Sequence, residues 1–171
     1  AHYVKQTYRN RCQILTANGV MNLTIPVEKV SGEKVLDKDV RISSTDWQRV
    51  HWNAIESAYN NSPFFLYYED DIRPMYEKKF EYLLDFNLQL QEILVSLLGI
   101  QTEFKLTENY IDSHQLDLRE VLSPKYKGEL PNFKSTPYYQ VFKEKFGFVE
   151  NLSVFDLLYN MGNESILILR E

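Results

Sequence analysis

A short basic segment near the start of the chain holds the residues best suited to bind an anion. Lys5, Thr7, Arg9 and Arg11 alternate along the sequence, so an extended backbone would place them on one face. That face would span about 20 Å at ~3.3 Å per residue, similar to the reach of a nucleoside diphosphate with an attached sugar. In a turn or helix, Lys5 and Arg9 would instead meet four positions apart.

Arginine suits this task because its planar fork binds two phosphate or carboxylate oxygens at once. Either backbone geometry of the segment therefore predicts an anion site, with Tyr8 beside the cations as a further contact. A solvated strand face that pairs with surface carboxylates is the structural alternative.

His51 is the candidate general base. It lies four residues after Trp47 and three before Ala54, which places it on the apolar face of a predicted helix. Histidine titrates near neutral pH and is the most common general base in enzymes. A core histidine held by one hydrogen bond is the alternative.

Two further pairs of residues could contact a ligand. Asp117 and Arg119, two positions apart, could orient a ligand or simply pair with each other. Tyr138 and Tyr139 follow a basic, proline-rich loop, and their rings could stack on a base or sugar or anchor the loop.

Several other classes of site and partner are excluded or disfavoured. No glycine-rich phosphate loop, serine nucleophile elbow or zinc motif is present, and the histidines lack metal-site spacing. We therefore expect no metal and no cofactor. Cys12 is the sole cysteine, so no disulfide can form within the chain. A net charge of -5 disfavours nucleic acid as a partner.

The elements that must position these residues begin with a predicted hairpin. Strands over 12–16 and 20–27 flank Ala17-Asn18-Gly19, a typical turn sequence. Residues 40–42 predict a short third strand, and residues 103–106 another.

Helices account for most of the remaining pattern. Thr45 and Gln48 fit a capping box for the helix that carries His51, and Ser62 precedes Pro63 as the cap of the next helix. Residues 75–98 predict one long, central helix whose apolar stripe includes Asn87, an amide that needs partners if it is buried. Three shorter helical segments are predicted, over 117–122, over 138–146 and after the cap Ser153, and a last one follows Asn163.

These elements predict a single α+β domain over residues 1–171: a small antiparallel sheet packed by several helices. With 44% apolar residues, the chain has the material for a core. It contains neither a signal peptide nor an apolar run of about 18 residues, so we expect a cytoplasmic protein without a membrane span.

Distinctive motifs are spread along nearly the whole chain. The most recognisable are Lys5-Gln6-Thr7-Tyr8-Arg9-Asn10-Arg11, then Ser62-Pro63-Phe64-Phe65 and Leu84-Asp85-Phe86-Asn87. Two more are Pro137-Tyr138-Tyr139-Gln140-Val141-Phe142 and Asp156-Leu157-Leu158-Tyr159-Asn160-Met161-Gly162. Together these motifs resemble the WbqC-like family. Family members also carry a segment before the Lys5 motif, which we expect this chain to lack.

The resemblance implies a role in bacterial surface polysaccharide, especially O-antigen, biosynthesis. It is compatible with acyl or aminoacyl transfer onto a nucleotide-activated amino sugar, which would require an acyl donor or carrier. A non-catalytic ligand-binding or assembly protein is the alternative. Geometry discriminates between them, because an enzyme must bring His51 or another base to the cations in one pocket. The oligomeric state stays open.

Overall fold

A computed structural model describes residues 2–5, 7–29, 35–107, 117–118, 121–124, 126 and 135–170. The predicted antiparallel hairpin is confirmed, with β1 at Arg11–Thr16 and β2 at Gly19–Thr24. Gly19 has a φ of 105°, a left-handed value that glycine adopts without a steric penalty. β2 ends three residues before its predicted end, because Pro26 has no N–H to continue a ladder.

Backbone bridges replace the predicted third strand over 40–42. Ile42 forms an isolated bridge with Val27, and Arg41 forms another with Tyr82. This short segment is therefore held between the end of the hairpin and the start of a later helix.

Helix α1, Trp47–Tyr59, carries the predicted apolar stripe, but its predicted capping box is wrong. No side chain caps the helix, and the Gln48 amide instead donates to the carbonyls of Met75 and Lys78. These carbonyls are available to Gln48 because they lie at the end of a short helix, where they have no intrahelical donors.

The predicted Ser62 cap is also wrong. The Ser62 hydroxyl donates to the Tyr59 carbonyl at 2.6 Å, and α2, Phe65–Ile72, begins after Phe64 without a side-chain cap. Ser62 therefore forms its hydrogen bond with the last turn of α1 and does not cap α2.

The long helix predicted over 75–98 is interrupted. It forms α3, Pro74–Glu77, and α4, Leu83–Leu97, with a break between them. The break occurs because the Glu81 carbonyl accepts from Ile42 N–H at 2.9 Å and Leu83 N–H donates to the Val40 carbonyl at 2.9 Å. Leu83 and Phe86 are the fully buried residues of α4, and Leu90, Ile93 and Leu94 pack against the core while half-buried.

The C-terminal part is helical, as predicted. Ser153 caps α6, Val154–Met161, by accepting from Phe155 N–H, and α7, Ser165–Arg170, follows a 3-10 turn. The helix predicted over 138–146 shrinks to α5, Lys143–Phe146. Residues 103–106 form no strand and are exposed. Leu122 N–H donates to the Leu118 carbonyl at 2.8 Å, whereas residues 119–120 of the helical turn predicted over 117–122 lie outside the described residues.

The core is a continuous set of aromatic rings between α1, α2, α3 and α6. Trp52 stacks on Phe65 with 6.0 Å between ring centroids, and Phe65 contacts Tyr159 at 5.1 Å. Tyr159 in turn contacts Tyr59 at 5.2 Å. Because each such ring buries about 150–250 Å², these contacts dominate the packing. No helix in the described part of the chain is long and apolar enough to cross a membrane.

Candidate anion-binding site

The described residues of the N-terminal basic segment form turns. They do not form the extended backbone, which was one of the two predicted conformations. The Thr7 hydroxyl donates to the Val4 carbonyl at 2.9 Å and accepts from Arg9 N–H at 3.4 Å. Such side-chain bonds compete with strand pairing and fold the backbone locally. Lys5 and Tyr8 are exposed, and the Tyr8 hydroxyl accepts from the Asn151 amide at 2.9 Å.

Arg9 is fixed at both its backbone and its side chain. Its carbonyl accepts from the Asn87 side-chain amide at 2.8 Å, so Asn87 has the partner that its place in the apolar stripe demanded. Its guanidinium Nε lies 3.4 Å from Asp37 Oδ1, and both side chains are partly exposed, at 32% and 24%. No local sequence pattern indicates this contact, because Asp37 lies far from Arg9 in the chain.

Tyr3 lies among the same charged groups. Burial raises the pKa of its phenol, the charges of Arg11 and Arg9 oppose that rise, and Asp37 adds to it. The phenol is therefore a neutral hydroxyl at physiological pH and can donate a hydrogen bond. We call the set Tyr3, Arg9, Asn10, Arg11 and Asp37 the N-terminal cluster.

Polar atoms without hydrogen-bond partners are concentrated in this cluster. Of six such buried side-chain atoms in the described residues, three belong to it: Asn10 Oδ1, Arg11 Nε and Asp37 Oδ1, the last of which is ion-paired with Arg9 Nε without a hydrogen bond. No carboxylate of a described residue forms an ion pair with Arg11. Because an unpaired buried polar group costs about 1–3 kcal/mol, the cluster is poorly satisfied without a ligand.

His51 lies close to this cluster through the hairpin. Its Nε2–H donates to the Thr24 carbonyl at 3.1 Å, and Thr24 is the cross-strand partner of Arg11. The imidazole is only 6% exposed and packs edge-on against Trp47 at 5.1 Å. Burial lowers the pKa of His51, so the ring is neutral at neutral pH. Its catalytic role stays a prediction.

No described contact joins Tyr138 or Tyr139 to these cations. The Tyr138 hydroxyl points inward to Asp156, whereas Tyr139 is exposed. Asp117 is also exposed. Arg119 lies outside the described residues. Their ligand contacts stay predictions.

Asp156 forms a second polar region, which sequence reasoning missed. Its carboxylate accepts from the Tyr138 hydroxyl and the Gln140 amide, each at 2.8 Å, and from the Tyr59 hydroxyl at 3.0 Å. Burial raises the pKa of Asp156, whereas the three hydrogen bonds oppose the rise. We call these four residues the Asp156 network.

Tyr59 of the Asp156 network and the nearby Ser153 both form hydrogen bonds with the backbone of β1. The Tyr59 hydroxyl accepts from Leu15 N–H at 3.4 Å, and Ser153 N–H donates to the Gln13 carbonyl at 2.7 Å. Burial raises the pKa of both Tyr59 and Tyr138, so both phenols stay protonated donors. Only the spacing of polar residues on an otherwise apolar α6 could have signalled this network.

An open cleft of about 730 Å³ lies at the C-terminal end of α4, away from both regions. Its walls include Glu92, Val95, Glu103 and Phe104, and no described residue of the predicted site lines it. Among the described residues, its lining has two carboxylates and no cation, which disfavours an anion in this cleft.

Comparison with known proteins identifies the family of this chain but not a reaction. The uncharacterized protein Rv1507c of Mycobacterium tuberculosis is 26% identical over 189 residues, which cover 95% of this chain and 81% of that protein. No solved structure matches the chain significantly. The model of the WbqC-like protein family matches residues 1–130, which include the whole N-terminal cluster. The chain therefore belongs to the WbqC-like protein family.

Proposed function

We propose that this chain acts in bacterial surface-polysaccharide biosynthesis by binding the phosphates of a nucleotide-activated sugar at the N-terminal cluster. Membership of the WbqC-like family suggests a polysaccharide-related role. The anionic ligand and the O-antigen pathway are the further steps that we propose. Their support comes from the chemistry of the cluster.

The observation that carries the proposal is the unpartnered Nε–H of Arg11. The Nε atom is buried without a hydrogen bond, although the residue as a whole is only half-buried, and no described carboxylate forms an ion pair with Arg11. A buried N–H without an acceptor is costly, and a phosphate oxygen would satisfy it directly.

The charge of the cluster also favours an anion. Arg9 and Arg11 bring two positive charges and Asp37 one negative charge, which leaves a local charge of +1 in a chain whose net charge is -5. The neutral Tyr3 phenol adds a donor that does not repel phosphate. A partly buried site strengthens these interactions relative to bulk water.

Transfer of an acyl or aminoacyl group onto the bound sugar is a second candidate function. It is favoured by the contact of His51 with Thr24, which faces Arg11 across the hairpin. The lowered pKa of His51 keeps the imidazole neutral, as a general base requires. A binding protein without turnover is favoured by the burial of the same ring.

A thermal-shift screen tests the binding proposal. The ligands are UDP-glucose, UDP-glucosamine, UDP-N-acetylglucosamine and pyrophosphate, tested on the wild type, Arg11→Gln and Arg49→Gln. Arg49 is the matched control because it is an exposed arginine on α1, outside the cluster. We expect the nucleotide sugars to raise the Tm of the wild type and of Arg49→Gln but not of Arg11→Gln. Absence of any shift in the wild type contradicts the proposal.

An activity assay separates the two candidate functions. Incubation of the wild type with UDP-glucosamine and acetyl-coenzyme A, followed by mass spectrometry, tests for an N-acylated product. If product forms and His51→Gln abolishes it without loss of ligand binding, the transferase function holds. Binding without product at any pH from 6 to 9 favours the non-catalytic function.

A further inference from the structure

The turn before α6 contains the only described residue other than glycine that has a positive φ. Asn151 has a φ of 58°, in the left-handed region. Asparagine tolerates this conformation better than most residues, and backbone of this kind is concentrated at functional sites. The Asn151 side-chain amide donates to the Tyr8 hydroxyl at 2.9 Å, across 143 positions of the chain. An unusual backbone conformation and a long-range contact with the basic segment therefore occur at one residue.

Strand β1 holds this turn beside the basic segment. Two residues after Asn151, Ser153 N–H donates to the Gln13 carbonyl at 2.7 Å. Tyr8 lies three positions before Arg11, the first residue of β1. Three positions span at most about 11 Å, so one nucleotide sugar is long enough to contact both Tyr8 and Arg11. The strand therefore anchors both partners of the Asn151–Tyr8 hydrogen bond close to Arg11.

The direction of this hydrogen bond determines which group Tyr8 offers to a ligand. The Tyr8 oxygen accepts from Asn151, which leaves its own O–H free to donate. No acceptor for this O–H is present among the described residues. Tyr8 is 38% exposed, so a ligand can reach the phenol from solvent.

We infer that Asn151 is a positioning residue that directs the Tyr8 O–H to the anion bound at the basic segment. Asn151 occupies an acceptor site of the hydroxyl, and Tyr8 donates its proton to a phosphate oxygen. A hydrogen bond to a charged oxygen is about twice as strong as a neutral one. The inference rests on the proposed function and deepens it, because it adds a residue of the C-terminal part of the chain to the same site.

A double-mutant cycle tests the pair by calorimetric titration with UDP-glucose. Tyr8→Phe removes the O–H donor, and we expect the dissociation constant to rise about tenfold. Asn151→Gly removes the amide but keeps the left-handed backbone, which glycine adopts without a steric penalty. It should raise the constant about fivefold in the wild-type background and less than about twofold in the Tyr8→Phe background. The matched control, Asn60→Gly, changes an exposed asparagine at the end of α1 and should leave the constant unchanged.

Asn151→Asp distinguishes a positioning residue from a tether between the turn and the basic segment. A carboxylate has no N–H and must accept the Tyr8 O–H, so it preserves the hydrogen bond but withdraws the donor from the ligand. We expect Asn151→Asp to weaken UDP-glucose binding at least as much as Tyr8→Phe does. In the Tyr8→Phe background the same substitution measures the effect of the added charge alone, and there we expect a smaller loss.

The outcomes separate this inference from the proposed function. Retained affinity in Tyr8→Phe and Asn151→Gly overturns the inference and leaves the binding proposal intact. Wild-type affinity in Asn151→Asp shows that Asn151 is only a tether, and an equal loss in the two backgrounds assigns the loss to charge. Both of these results overturn the inference as well. Failure of the wild type to bind UDP-glucose overturns the proposed function itself, and the inference with it.

Discussion

The Asp156 network and the N-terminal cluster are both polar and both contact β1, yet only in the Asp156 network is the central polar group fully hydrogen-bonded. The carboxylate of Asp156 receives three hydrogen bonds from described residues. The cluster instead leaves three buried polar atoms without hydrogen bonds, and of these only Asp37 Oδ1 has an ion-pair partner, Arg9. A network satisfied from within the chain stabilises the fold, whereas an unsatisfied cluster is suited to a ligand.

Loss of Asp156 should have the largest effect on stability. Asp156→Ala leaves two phenols and one amide without their shared acceptor, so we expect the free energy of unfolding to fall by about 3–5 kcal/mol. Urea denaturation followed by circular dichroism measures this change. Asp70→Ala, at an exposed position of α2, is the control and should change it by less than about 0.5 kcal/mol. A similar, small change in both variants would remove the contrast between the two regions.

Removal of one donor from the network should have an intermediate effect. Tyr138→Phe keeps the ring against Phe148 but deletes the hydroxyl that donates to Asp156, so we expect a loss of about 1–2 kcal/mol. Its neighbour Tyr139 is exposed, and Tyr139→Phe should leave the unfolding free energy unchanged. If the two variants are equally stable, Tyr138 is free to serve a ligand, as the sequence predicted.

His51 should make stability depend on pH. Burial lowers its pKa in the folded state below the ordinary value of 6.5, so the unfolded chain binds the proton more readily. The contribution of neutral His51 is therefore present above pH 6.5 and is lost as the pH falls through the folded-state pKa. We expect the wild type to lose more stability than His51→Gln between pH 7.5 and pH 5. Parallel pH profiles would contradict a buried, neutral His51.

Loss of Arg11 should have the smallest effect on stability. Its Nε has no hydrogen bond to lose and is buried without an acceptor, so Arg11→Gln should not lower the unfolding free energy by more than about 0.5 kcal/mol and is allowed to raise it. Affinity for nucleotide sugars should nevertheless fall roughly ten- to hundredfold, which corresponds to about 1.5–3 kcal/mol for a charged hydrogen bond. A large loss of stability in Arg11→Gln would make Arg11 structural.

Local sequence signals predicted the hairpin, the stripe of α1 and the Ser153 cap because each depends on residues close together in the chain. The break between α3 and α4 was not predictable in this way. It is imposed by backbone hydrogen bonds to the distant segment Val40–Ile42, which override a helical pattern.

The candidate site was likewise predicted only in part. Arg9 and Arg11 were identified by residue type and spacing, but their turn conformation depends on bonds made by the Thr7 hydroxyl. Asp37 joins them through tertiary packing, which no periodicity encodes. Tyr138 has the residue type of a ligand contact, yet its hydroxyl donates a hydrogen bond to Asp156, which lies 18 residues later in the chain.

The unpartnered Nε–H of Arg11 is the group that we propose donates a hydrogen bond to the anion of the ligand. The most direct measurement is the NMR signal of its Nε–H group during titration with UDP-glucosamine. We predict a saturable downfield shift of the Arg11 signal, as expected for a new hydrogen bond to phosphate, while the hydroxyl-bearing rings of Tyr59 and Tyr138 keep their shifts. Saturable binding that leaves the Arg11 signal unmoved would contradict the claim and place the ligand elsewhere on the molecule.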